Sequence, residues 1–284
     1  MATDRSSRYG RRRRLDLASI LALPIGIVVV LVGQAIEGGA MRSLVQGAAA
    51  LIVFGGTLGA VLISFSPTEV WRAFRAAAGT FAKPDDDATS VTARIVGLSI
   101  TAHRKGLLAL DQEIETIEDP ILRTGLTLAV DDTSSERLRE MLGIEMAMRE
   151  ADDDAPARVF DAAAGYAPTL GILGAVLGLI QVMEHLTAPG SLGSGIAVAF
   201  VATVYGVGSA NLIFLPVAGR LRERAQLATR RRELVAEGVY AISQQEHPRM
   251  VAQKLRAFAG AGLRVDDITG RLARTPTEAV RVSA

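Results

Sequence analysis

Ala167-Pro168-Thr169-Leu170-Gly171-Ile172-Leu173-Gly174-Ala175-Val176-Leu177-Gly178-Leu179-Ile180 is long, apolar and uncharged. Wound at 100° per residue, its Pro168, Gly171, Gly174, Ala175 and Gly178 share one narrow arc. In water each of these glycines weakens a helix by about 1 kcal/mol relative to alanine. In a bilayer the same residues let a second helix approach closely, in the small-xxx-small manner. The stretch therefore reads as a transmembrane helix whose small face packs against other helices or lines a path beside them.

Outward from it, three more apolar runs of spanning length appear. Leu17–Ile36 and Leu44–Phe65 precede it, and residues 195–218 follow it. The second carries Gly55-Gly56-Thr57-Leu58-Gly59. No Lys-Ser/Thr follows those glycines, so they are not a phosphate-cradling loop. On the last run Ala199, Ala202, Thr203, Gly206 and Ala210 share a face, again small. The expected fold is all-α, with four transmembrane helices and a cytoplasmic helical domain.

The mean hydropathy of +0.29 over 284 residues suits a few spans plus a large aqueous part. The expected division is a basic tail (1–14), spans one and two (15–66), a polar helical domain (67–161), spans three and four (162–218), further helices (219–259) and a mobile tail (260–284). Within the polar domain, Val91–Ile117 reads as one helix. Thr133 and Glu136 form a capping-box pattern that opens another. Asp152-Asp153-Asp154-Ala155-Pro156 then ends or kinks it. Trp71 and Phe74 fall near the membrane edge, where aromatics are favoured. Amphipathic helices follow after 219 and around 249–258.

Of the 31 Lys and Arg, all but Arg42 fall in the N-terminal tail, the 67–161 segment and the part after span four. By the positive-inside rule these face the cytoplasm, and two short loops lie outside. The Arg11–Arg14 run also admits a twin-arginine export signal. The following apolar run is about 20 residues, however, against about 7–15 for a signal core.

The net charge of +1 gives no bulk attraction for nucleic acid. With no cysteine there are no disulfides and no thiolate metal sites. His103, His185 and His247 show no ligand spacing, so no metal or cofactor is expected. No span carries an ionisable side chain in its core. Only scattered polar groups lie at depth, among them Gln46, Thr57, Tyr166, Thr169, Gln181, Thr203, Tyr205 and Asn211. Coupled transporters ordinarily place a carboxylate or histidine in the membrane. Two readings of the residues stay open: a passive membrane scaffold, or a channel whose ion-carrying carboxylate comes from a partner's helix.

Four blocks resemble the MotA family of flagellar stator subunits. They are Leu15-Asp16-Leu17-Ala18-Ser19-Ile20, residues 51–60 with Leu62-Ile63-Ser64-Phe65, residues 166–180, and residues 197–206 through Asn211 with Pro216. A weaker fifth is His247-Pro248-Arg249 with Lys254-Leu255. The third and fourth blocks alone are similar to the wider ExbB/TolQ group. The second block, and the long polar segment after span two, favour MotA.

The resemblance implies a homopentamer around a MotB-like, single-span, peptidoglycan-binding partner that donates an aspartate. Ion flow through the assembly generates torque for motility in the bacterial inner membrane, with no enzymatic chemistry and no cofactor. Pro168 and Pro216 match the family's two functional prolines. Thr203 matches a hydroxyl facing the partner, and Tyr205 lies in the same block. Ala175 stands where sodium-type members tend to carry a hydroxyl, which leans towards protons. The family's rotor contact with FliG pairs a basic and an acidic residue, here His103, Arg104 or Lys105 with Asp111. An ExbB/TolQ-like energiser of an envelope process is the alternative function.

Overall fold

The computed structural model describes residues 17–36, 38, 44–80, 88–185 and 189–259. Among the described residues every regular element is helical. In chain order, α1 is Leu17–Ile36, with Pro24 inside it. Helix α2 is Gly47–Ser64, with a wider π turn at Leu51–Gly55. Helix α3 is Pro67–Gly79, α4 is Ala88–Lys105, α5 is the single turn Asp111–Ile114, and α6 is Pro120–Val130. Helix α7 runs 50 residues, Ser135–Glu184. Helix α8 (Pro189–Ser209) passes through a second π turn, Ala210–Phe214, into α9 (Leu215–Ser243), and α10 is Pro248–Ala259. Among the described residues three helices are long and apolar enough to cross a membrane: α2, the second half of α7, and α8 with its continuation. Helix α1 is a further apolar helix of 20 residues.

The chain folds as two compact units, one from residues 17–80 with 154–224, the other from 88–153 with 225–259. In the first, Val61 of α2, Val70 and Ala73 of α3, Phe160 of α7, and Val217 and Leu221 of α9 bury one another. A second cluster, Ala49, Val53, Val201 and Ala202, joins α2 to α8. Large apolar side chains remain exposed along the same helices, such as Phe54, Leu58, Ile172, Val176 and Phe200. An aqueous protein of this size buries such a surface, whereas a lipid-facing helix leaves it outward.

In the second unit α4, α6, the first part of α7, α9 and α10 close on a core that includes Ile95, Leu98, Leu126, Leu138, Leu234, Ile242 and Leu255. Gly238 and Gly125 are the tight points. A Cβ on Gly238 would lie 2.6 Å from the Ile95 Cγ2, and one on Gly125 2.8 Å from the Val239 Cγ1.

Three local expectations are corrected. The helix over 91–117 breaks at Gly106, whose φ of +87° lies in the region that favours glycine. A short 3₁₀ turn at Leu107–Leu110 and α5 replace its second half. The cap of α7 is Ser134, whose Oγ accepts the Arg137 N–H at 3.5 Å, one residue later than the Thr133 pattern implies. The Asp152–Pro156 stretch, expected to end or kink the helix, does not end it, because α7 continues through both Pro156 and Pro168. Each proline leaves the carbonyl four residues back without its helical donor. The aspartates are neutralised from elsewhere: Asp153 is paired with Arg232 of α9, and Asp154 sits 3.9 Å from Arg158 one turn on.

Candidate functional site

The glycine face of α7 meets α8 backbone to backbone. A Cβ on Gly171 would lie 2.9 Å from the Ala202 carbonyl oxygen and 3.2 Å from the Gly206 Cα. One on Gly178 would lie 2.8 Å from the Ala199 nitrogen, and one on Gly206 2.5 Å from the Ala167 carbonyl oxygen. At Gly174 the obstacle is a side chain, the Ala202 Cβ at 2.8 Å. As residue numbers rise along α7 they fall along α8, so the helices run antiparallel with no room for a Cβ at these glycines. Small residues at i, i+3 and i+4 are the sequence form of such an approach.

Pro168 lies at this crossing. The Cβ that would clash at Gly206 also comes within 3.2 Å of the Pro168 Cα. Pro168 is interior to α7 and not at a helix boundary. Pro216 is the second residue of α9, just past the π turn. In that turn the Leu215 N–H donates to the Ala210 carbonyl, five residues back rather than four. Local widening of this kind recurs at functional positions in helices. Phe214, in the same turn, packs against Phe160 of α7 at 6.5 Å between ring centroids, and Phe160 meets Phe74 of α3 edge-on at 5.7 Å.

Ala175 and Thr203 are half-buried, and the Thr203 Oγ1 donates to the Ala199 carbonyl at 3.4 Å. Thr57, Thr169 and Asn211 likewise bond carbonyls three or four residues back in their own helices. Two tyrosines behave differently. The Tyr205 hydroxyl donates to the Leu44 carbonyl at 2.5 Å and accepts the Gln46 N–H at 3.3 Å, bracing the chain just before α2. Tyr166 shares a hydrogen bond of 2.8 Å with the Ser64 hydroxyl. Sequence reading noted both tyrosines as polar groups at depth but gave neither a partner, since the partners lie more than 100 residues away.

In the second unit His103, Arg104 and Lys105 form the exposed last turn of α4, and Asp111 is the exposed first residue of α5. Gly106 and the 3₁₀ turn separate them, so they do not lie on one continuous helix face. His103 is turned edge-on to His247, at 5.2 Å between ring centroids. Among the described residues no cluster of three or more metal-ligating side chains occurs.

A family model described as the MotA/TolQ/ExbB proton channel family matches residues 113–234. Motility protein A of Bacillus subtilis is 33% identical over 252 residues, covering 87% of this chain and 92% of that protein. The C. jejuni MotAB structure superposes with a TM-score of 0.80 at 26% identity, covering 88% of this chain and 98% of its own. The flagellar MotAB stator complex of Bacillus subtilis gives a TM-score of 0.74 at 31% identity, covering 91% and 99%. Such identity over nearly the full length of a motility protein A, with the same helical frame in two MotAB complexes, settles the relationship: the chain belongs to the MotA family of flagellar stator subunits, within the MotA/TolQ/ExbB proton channel family.

Proposed function

We propose that the chain works as the ring-forming subunit of a proton-driven flagellar stator, with a MotB-like, single-span, peptidoglycan-binding partner at its centre. The observation that carries this is the tight α7–α8 crossing in spans that hold no ionisable side chain of their own. A path for ions beside that crossing needs a carboxylate from outside the chain. Helix α1 supplies the fourth span. The distribution of basic residues supports a cytoplasmic side for both termini and residues 67–161 of the inner-membrane assembly. Five copies enclose the partner. Pro168 and Pro216 let α7 and the α8–α9 continuation flex as the partner's carboxylate gains and loses a proton, with Thr203 and Ala175 facing the pathway. One charge moved through 100 mV releases about 2.3 kcal/mol, enough to shift a nearly balanced packing of helices.

The test is proton flux in vesicles. The chain alone is expected to carry no selective proton current, and co-reconstitution with a MotB-type partner is expected to open one. A selective current from the chain by itself removes the borrowed-carboxylate reading. Co-purification with a partner of the TonB or TolR kind supports the envelope-energising alternative instead.

The rotor contact is the second part of the proposal. His103, Arg104, Lys105 and Asp111 are exposed on the second unit and face FliG. Exposed ion pairs contribute about 0–1 kcal/mol each, which suits a contact that must release and re-form. Asp111→Lys is expected to slow swimming severalfold and to be partly rescued by a charge reversal on the rotor. Normal swimming with both Asp111 and Arg104 reversed would place the contact elsewhere.

A further inference from the structure

Only Phe65 and Ser66 separate α2 from α3, and their conformations are fixed. Phe65 is extended. Ser66 closes a capping box in which its Oγ accepts the Glu69 N–H at 3.3 Å and its own N–H donates to the Glu69 Oε2 at 2.8 Å. Hydrogen bonds from the Ser66 hydroxyl and backbone hold the Glu69 carboxyl below the usual carboxylate range, so the cap persists to mildly acid pH and weakens only as pH falls further. The direction of α3 is thus set by the end of a membrane span. Its inner face, Val70 and Ala73, is buried. Its outer face presents Trp71, 71% exposed, while Phe74, 52% exposed, lies between the two faces and packs edge-on against Phe160. Arg75 and Arg72 lie about 40° and 100° to one side of Trp71 around the helix. Both are exposed and form no ion pair among the described residues.

Resting on the reading of α2 as a membrane span, we infer that the outer face of α3 is a docking surface for anionic phospholipid at the cytoplasmic leaflet. Ile63, 89% exposed in the last turn of α2, belongs to the hydrocarbon side, and the α3 face continues that surface two residues later. Tryptophan favours the headgroup level because one end of the indole is apolar and its N–H is polar. The two exposed arginines beside it, of which Arg72 also feels the Glu69 carboxylate one turn back, are complementary to lipid phosphate, and their planar forks suit phosphate oxygens. Each basic residue near such a surface favours anionic over neutral lipid by about fivefold.

Trp71 is the only tryptophan in the chain, which makes its fluorescence a private reporter of this face. The full-length protein is reconstituted with a tryptophan-free form of its partner into vesicles containing brominated phosphatidylglycerol or, in parallel, brominated phosphatidylcholine at equal mole fraction. Trp71 emission is expected to be quenched more by the brominated anionic lipid, with a relative affinity of about tenfold or more. Arg72→Gln with Arg75→Gln is expected to bring that ratio near one while quenching by the neutral lipid persists. Equal quenching by the two lipids in the unaltered protein overturns the preference. Quenching by aqueous iodide but by neither lipid overturns the membrane contact, and shielding from iodide and both lipids assigns the face to a protein neighbour instead. Failure of the protein to float with vesicles is a separate outcome. It removes the spanning reading itself, and the proposal with it.

Discussion

A single methyl group added at Gly206 is expected to abolish swimming, whereas the same group at Gly208 leaves it intact. Both residues sit on α8, two positions apart, and alanine is the better helix former at each. Propensity alone thus predicts that both substitutions stabilise. The seam reverses that for one of them. At Gly206 the new Cβ would lie 2.5 Å from the Ala167 carbonyl oxygen and 3.0 Å from the Gly171 Cα, while at Gly208 nothing lies within 4 Å. The obstacles at 206 are backbone atoms, so no rotamer relieves them, and α7 and α8 must separate. Overpacking of this kind costs about 1–3 kcal/mol, and the separation falls where the ion path is proposed.

Gly174 gives an internal check. There the first obstacle is the Ala202 Cβ, so Gly174→Ala should impair the stator and Ala202→Gly should restore it. No side-chain trimming should restore Gly206→Ala. Swimming speed and recovery of the intact complex with its partner are the measurements. Normal swimming by Gly206→Ala, or failure of the 174/202 pair to compensate, would show that the seam is looser than described.

What the sequence disclosed and what it concealed follow the range of the forces involved. The small face of α7 was legible because it is a spacing within one helix, and so was the small face of α8. That the two faces meet, antiparallel and at residues 171 with 206 and 178 with 199, is a matter of register between distant segments. The aspartates before Pro156 read as a helix end because their compensation, Arg232, lies 79 residues on. The brace at Tyr205 spans 161 residues and the bond from Tyr166 to Ser64 spans 102, so neither could be read locally. Gly106 is different. A glycine after a basic turn is a local stop signal, and the helix over 91–117 ran through it only because apolar residues continue at helical spacing beyond. The Ser66–Glu69 capping box is equally local, a serine three residues before a glutamate with proline at the first helical position.

Pro168→Ala and Pro216→Ala are each expected to reduce swimming at least tenfold while leaving membrane assembly intact. Proline in a helix removes one backbone bond and crowds the preceding turn, at about 3 kcal/mol or more. Alanine returns the bond, so the variant helices should be as stable or more so. If α7 and the α8–α9 continuation alternate between two nearly balanced shapes, a bias of about 3 kcal/mol towards the straighter one shifts their ratio by about a hundredfold. That exceeds what one proton crossing 100 mV supplies, so the cycle stalls even though the ring forms. Pro156 supplies the control. It is interior to the same helix but precedes the apolar span, and Pro156→Ala should leave swimming near normal. The measurements are swimming speed, proton flux through reconstituted complexes, and thermal stability of the purified assembly. Loss of swimming with loss of assembly would mean that the prolines shape the packed seam rather than its movement. Equal loss at residues 156, 168 and 216 would mean that any stiffening of the long helices is harmful, leaving the two span prolines with no special role.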